Sequence, residues 1–518
     1  MLRRDLVMKI RSKMPDAVAF ACAAFMLCYI PLAFNDAFFD INRHKVKMVI
    51  EWIPLFCVLM VVSLLLDPDR RKRFTGREGR FAAGSMLLLM VACVISCARA
   101  GFTDAVLTGN KGRYCGLYFM LCCGAAFFVI SLGRISFKSL VLPAVICAAF
   151  CAGLGFANAI GYDPLGFYDR IKKGQEPTFL STIGNFDFFG TFIVMMFSLA
   201  GAQFVLSERR EMRLISGVCA TVMAFGATAC RTECAFAGMH MACYMLLALS
   251  GGSYSRMARA CMLWAVCFVS LPVTYPLLES SCYQPKIDGL PKTLYMRHIG
   301  EFAALIFAAL AAACHLLKRQ GIKPPSRNKL LKWMMAVCVC GAVVLFAAMV
   351  YFSVIDTKTD LGSLGNFLRF NDSWGTLRGF VYIRSLRAFG DFEPMDKLFG
   401  AGMELTRSIL TPYFDDPQML RFGVFNDPHC QPLQMLLTCG LMGMLCFLAL
   451  YLSVFIMLFR RAGDDAMTCG LLCAIWCYSL IMLINVTQPI LISTYFSLCA
   501  WAVACVRSGV SGGRIHES

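Results

Sequence analysis

Apolar and polar residues fall in long blocks along this chain, not in the short alternation of a soluble fold. Runs of roughly 17–20 apolar residues recur from end to end, each long enough to cross about 30 Å of hydrocarbon as a helix. Fourteen are predicted, near 17–34, 48–66, 81–98, 115–132, 140–160, 188–206, 214–229, 233–249, 260–276, 298–317, 333–353, 434–458, 467–483 and 492–506. Merging one weak pair sets the lower bound, so the expectation is 12–14 spans in an all-α, polytopic transmembrane bundle. The run Ala17–Phe34 follows MLRRDLVMKIRSKMPD and lacks a small-residue cleavage site, so it reads as a span, not a leader.

One polar block breaks the pattern. Residues 354–433, between the eleventh and twelfth runs, are mixed in charge and far longer than any other connection. The chain thus divides into 1–353, eleven helices with short loops; 354–433, a large external loop carrying candidate catalytic residues; and 434–518, three helices and a tail. Long ordered loops are where function concentrates. SWGTLRGFVYIRSLRAFGDF has helical spacing with arginines at 378, 384 and 387, and FNDPHCQP is irregular backbone leading into the twelfth run.

Composition agrees with a bilayer as solvent: 58% of the 518 residues are hydrophobic and 16% charged, with mean hydropathy +0.65. A net charge of +17 raises nucleic acid as a partner, but the distribution removes it. With the N-terminus in the cytoplasm, inside segments hold 28 Lys and Arg, short outside loops 13, and the long loop 8. That bias sets topology, with both termini inside. The 28 cysteines show no paired CxxC spacing and read as small apolar packing residues.

Candidate chemistry is sparse. His44 and His516 lie in a short loop and the tail, and His240, His298 and His315 in or at the ends of spans, where packing explains them. His429 stands apart, just before the twelfth span and flanked by Pro428 and Pro432. An imidazole at the lip, with an ordinary pKa near 6.5, suits a general base acting on a hydroxyl. Arg231 sits in the tight turn TACRTECAFAG, and Arg113 in GNKGRYCGLYF at the outer start of the fourth span. Arg378, Arg384 and Arg387 reach the same level from the loop. Arginine at a membrane lip is costly without a partner, and guanidiniums converging on a histidine suit a phosphate. Arg99 and Arg170 read as snorkelling to lipid headgroups.

These elements resemble, in order and over about residues 110–460, the O-antigen ligase and O-antigen polymerase superfamily of polytopic bacterial membrane glycosyltransferases. The late signature reads His429-Cys430-Gln431-Pro432-Leu433-Gln434, then Thr438-Cys439-Gly440-Leu441-Met442-Gly443. The mid-chain signature reads Gly184-Asn185-Phe186-Asp187, the Ser-Arg turn Cys230-Arg231, and the loop signature Arg378, Tyr382 and MDKLFGAGMEL. The chain departs from the pattern at Cys430, Thr438 and Asp187, and Thr178 stands where an arginine is usual, with Lys172 and Lys173 the nearest cations.

The resemblance implies a glycan donor on polyprenyl diphosphate and an acceptor hydroxyl on a saccharide, a lipid-linked glycan or a protein. It implies His429 as catalytic base, Arg231, Arg378 and Arg113 as diphosphate ligands, and Asn185, Asp187, Gln434, Gly440 and Gly443 as supporting residues. Transfer would invert the anomeric carbon and need neither cofactor nor metal ion. The setting would be the cytoplasmic (inner) membrane of a bacterium, with the active site outside and membrane lipids around it. A polymerase of the same superfamily is the alternative. From other classes come a transporter or flippase of lipid-linked glycan, and a shape-and-division type polymerase using Asp372 or Asp391.

Overall fold

The computed structural model describes the chain except residues 1, 69–72, 74–78, 135–137, 173, 282–288, 424, 464, 486–487 and 508–518, so His516 lies outside the described residues. Among the described residues, eleven helices are long and apolar enough to span a bilayer and three more are apolar but shorter. In chain order they are α1 (Ile10–Leu32), α2 (Ile41–Leu66), α3 (Arg80–Arg99), α4 (Leu117–Ser131), α5 (Lys138–Ala159), α6 (Phe186–Leu206), α7 (Arg210–Ala229), α8 (Glu233–Leu249), α9 (Tyr254–Ser280), α10 (Ile299–Arg319), α11 (Arg327–Ile355), α12 (Gln431–Arg461), α13 (Ala466–Ile481) and α14 (Pro489–Arg507). Each predicted run is one of these helices, and the expected all-α polytopic bundle is the observed fold. Strand is confined, among the described residues, to β1 (Phe179–Leu180) paired antiparallel with β2 (Gly184–Asn185).

Burial differs widely among the spans. α6 and α14 are apolar on every face and are enclosed by other helices, as expected for a helix with no polar stripe. α11 contributes no buried residue to the interior, and its apolar surface faces outward as a lipid-facing helix does.

Several polar segments meet at the end of the bundle where α2 begins. The Asn42 side chain at the start of α2 donates to the Gly112 carbonyl at 2.8 Å and to Gln488 Oε1 at 3.0 Å, tying together the loops before α4 and α14. The three shorter apolar helices, α4, α8 and α13, have 15, 17 and 16 residues. Each joins at this end to a polar stretch: the segment holding Arg113, the turn holding Arg231, and the segment holding Asn485 and Gln488. The long connection between α11 and α12 caps the same end. Its main helix, Trp374–Asp391, packs Phe380, Val381 and Ala388 against Leu410, Phe414 and Leu437 of α12, so the cap has a small core of its own.

α12 is broken where the cap docks. Gly440 has φ 67° and ψ −169°, which interrupts the helical ladder. The freed carbonyls of Leu437 and Thr438 accept from the Ala401 and Gly402 N–H groups at 3.1 and 3.2 Å, and Ser96 Oγ also donates to the Thr438 carbonyl. A β-carbon on Gly440 would lie 2.4 Å from the Leu398 carbonyl, and one on Gly400 2.2 Å from that of Thr438. Backbone meets backbone here, so the GAG turn and the broken helix require glycine.

Candidate functional site

His429 lies between the cap and the start of α12, and Pro432 stands in that helix's first turn, where a missing N–H costs nothing. Its φ of 56° is left-handed, a conformation that costs a non-glycine residue about 1–3 kcal/mol. Asp427 holds the turn: its Oδ1 accepts the His429 N–H at 2.5 Å. Asp427 Oδ2 lies 2.6 Å from Arg113 Nη2, and Arg113 Nε lies 3.6 Å from Glu404 Oε1, with all three side chains almost fully buried. Burial alone would lower the Arg113 pKa, but Asp427 and Glu404 outweigh it and raise it. Burial raises that of Glu404, and Arg113 offsets this only in part. Glu404 also has a left-handed φ of 60°, and its carbonyl accepts from the Asn110 side chain. The predicted Arg113 is therefore not an open cation at the lip. Its charge is matched by two carboxylates behind the histidine.

A second cation, Arg378, lies in the first turns of Trp374–Asp391. Its Nε donates to the Ile484 carbonyl at 2.6 Å and its Nη1 to the Gly375 carbonyl at 2.7 Å. From there its charge acts on His429, Asp187 and Cys234. Burial lowers the His429 pKa below its ordinary value; Asp427 opposes the fall, and Arg378 and Arg113 add to it. Tyr382, one turn along the same helix, places its hydroxyl 2.6 Å from the Leu483 carbonyl and 3.1 Å from that of His429. Burial raises its pKa and pushes the thiol of Cys430 up to about 11.

Asp187 opens α6. The Asn185 side chain caps that helix by accepting the Asp187 N–H at 2.9 Å, and Asn485 of the α13–α14 connection donates to Thr191 at 2.9 Å. Arg231 occupies the three-residue turn between α7 and α8 with a left-handed φ of 60°, and its Nη2 reaches the Leu278 carbonyl at 3.4 Å. Its neighbours Cys230 and Cys234 lie within reach of the Asp187 charge. Arg378 thus lies within electrostatic reach of both His429 and Asp187, and the Arg231 turn packs near the start of α6, where a β-carbon on Gly190 would lie 2.9 Å from Cys230 Sγ.

The other predicted residues hold the frame. Gln434 is buried and accepts from Thr406 Oγ at 2.9 Å, pinning the cap to α12. Gly443 stacks one turn after the break, where a β-carbon would fall 2.2 Å from that of Cys439. Arg384 is spent inside the cap, donating to Asp372 at 3.0 and 3.2 Å and stacking on Phe380, whereas Arg387 is exposed. Asp391 accepts from Tyr413 at 2.9 Å, so both acids named for the shape-and-division reading serve as cap anchors. Arg99 and Arg170, expected to snorkel, instead pair with Asp396 and Asp36. His240 packs among Phe236, Phe268 and Trp264, as its place in α8 implied.

Sequence reasoning missed Asp427, Glu404, Asn485 and Gln488. Asp427 had a local signal, an acidic residue before proline two positions ahead of the histidine. The others had none, because their partners are hundreds of residues away in the chain.

Fold and site together define a multi-pass helical membrane protein with a buried polar centre at one end, roofed by a folded cap. Residues 300–448, from α10 to the broken part of α12, match the family described as O-antigen ligase. Over that stretch the chain is O-antigen ligase-like, which bears out the resemblance to the O-antigen ligase and polymerase superfamily. The match contains Arg378, His429, Gln434, Gly440 and Gly443, and excludes Arg113, Asn185, Asp187 and Arg231. No curated protein matches the chain.

Proposed function

We propose that this protein is a membrane glycosyltransferase that moves a glycan from polyprenyl diphosphate to an acceptor hydroxyl. The supporting observation is the placing of the cap helix that carries Arg378 and Tyr382 over His429 and the α13–α14 connection, through the Tyr382 hydroxyl on the His429 and Leu483 carbonyls and Arg378 on the Ile484 carbonyl. A prenyl tail dissolves in the bilayer while its diphosphate rests at the lip. Arg378, with Arg231 in the α7–α8 turn, supplies positive charge where the leaving diphosphate becomes more negative. His429 takes the acceptor proton as the hydroxyl oxygen bonds to the anomeric carbon and the carbon–oxygen bond to diphosphate breaks. Attack from the far face inverts that carbon. Arg113 belongs behind the histidine as its support, and Asn185, Gln434, Gly440 and Gly443 hold the frame.

In this reading the site faces outward from the bacterial inner membrane and both termini face the cytoplasm. The acceptor separates a ligase from a polymerase: after gene deletion, free lipid-linked long chains mark a ligase and single unpolymerised repeats a polymerase. The decisive assay uses purified protein in nanodiscs with lipid-linked glycan extracted from the source cells, and follows release of polyprenyl diphosphate. His429→Ala is expected to lower release by about 10²–10⁴-fold without altering protein level. Wild-type release from that variant would refute the assignment, and glycan movement without bond cleavage would mark a carrier.

A further inference from the structure

We propose that Asp427, braced by Arg113, is a positioning residue that fixes the tautomer of His429 and makes Nε2 the basic nitrogen. This rests on the general-base reading of His429. His429 Nδ1 lies 3.1 Å from the Asp427 carbonyl oxygen. A carbonyl only accepts, so Nδ1 carries the proton and the lone pair is left on Nε2. The carbonyl is held from several sides. Asp427 Oδ1 closes a three-residue turn onto the His429 N–H, and Asp427 Oδ2 is locked to Arg113. Arg113 Nη1 donates to the neighbouring Asn426 carbonyl at 3.1 Å. Glu404 keeps the guanidinium in place from the opposite side. The left-handed backbone at residue 429 is the geometry this turn imposes.

The same carboxylate has an electrostatic part. The charged groups acting on the imidazole are Asp427 and Arg113 on the inner side and Arg378 from the cap, and the titratable side chains beside it are Cys430 and Tyr382. When Nε2 takes the acceptor proton, Asp427 is the one anion of this set placed to stabilise the imidazolium. An unbraced ring would populate both tautomers and present a protonated Nε2 part of the time.

The test needs no substrate. Full-length protein with ¹⁵N-histidine in nanodiscs is examined by NMR, and the signal lost in His429→Ala is that of His429. The expected neutral ring is protonated at Nδ1 and bare at Nε2. Asp427→Ala is expected to introduce the second tautomer. Asp427→Asn keeps an acceptor for the His429 N–H but removes the anion, so the tautomer persists while the titration midpoint moves to lower pH. The asparagine variant carries the test if the alanine variant fails to fold. A wild-type ring protonated at Nε2, or unchanged tautomer and midpoint in both variants, would overturn the proposal. The transfer assay separates the two ideas. An inactive His429→Ala beside a fully active Asp427→Ala removes the positioning role alone, and an active His429→Ala removes the base reading itself.

Discussion

Two cation neighbourhoods flank one histidine, and they are built on opposite principles. Arg113 is enclosed, with Asp427 at 2.6 Å and Glu404 at 3.6 Å. Arg378 is held by the backbone carbonyls of Ile484 and Gly375, which orient its guanidinium without cancelling its charge, and the Asp187 carboxylate lies within reach of that charge without forming an ion pair with it. A charge neutralised by two buried carboxylates is a brace; a charge oriented by neutral dipoles keeps its field for an incoming anion. The difference teaches that arginines at one membrane lip, alike in sequence, divide by the partners the fold brings to them.

The comparison breaks most sharply at Arg378. Arg378→Ala is expected to lower transfer by about 10²–10³-fold, the usual cost of losing one preorganised donor to a developing anion. Its unfolding temperature should change little, since the lost contacts are two partly buried hydrogen bonds worth about 1 kcal/mol each. Retained turnover in the release assay would move Arg378 to the bracing class.

Arg113→Met should show the reverse balance. Two carboxylates would be left buried without their cation, a loss of about 3–5 kcal/mol read as a lower unfolding temperature in detergent. Glu404 then takes up a proton more readily, so the deficit should shrink as pH falls, because protonation removes one of the stranded charges. An Arg113→Met protein as stable as wild type but unable to transfer would return this arginine to the diphosphate.

Arg231→Lys sharpens the contrast by the smallest step. The charge is kept and the planar fork is lost, so activity is expected to fall about tenfold, equivalent to roughly 1.4 kcal/mol. Arg231→Ala with full turnover would assign the residue to anchoring α9 through the Leu278 carbonyl.

How far these distinctions were legible depends on the range of the forces. His429 was visible because a histidine between two prolines at a span boundary is locally unusual. Gly440 and Gly443 were visible as a motif, but their use was not: Gly440 breaks α12 so that the turn at 400–402 can enter, a contact between segments about 40 residues apart. The polar length of 354–433 announced a cap, while the packing of Phe380 and Phe414 on Leu437 shows why it stays folded. Arg99 illustrates the opposite failure. Its apolar surroundings suggested lipid contact, and nothing local to it foretold Asp396.

By itself the sequence determined the order of the apolar helices and their number to within 12–14, because the free energy of moving about 20 apolar residues from water to hydrocarbon is local and additive. It also determined that one large polar segment would lie between α11 and α12, since residues 354–433 are too polar to enter hydrocarbon. Tertiary structure alone decided which arginine became a brace and which kept an open field. That choice depends on Glu404 and Asp427 reaching Arg113 across roughly 300 residues of chain. An ion pair in a buried site is set by ångström distances after packing, and no spacing along the chain encodes them.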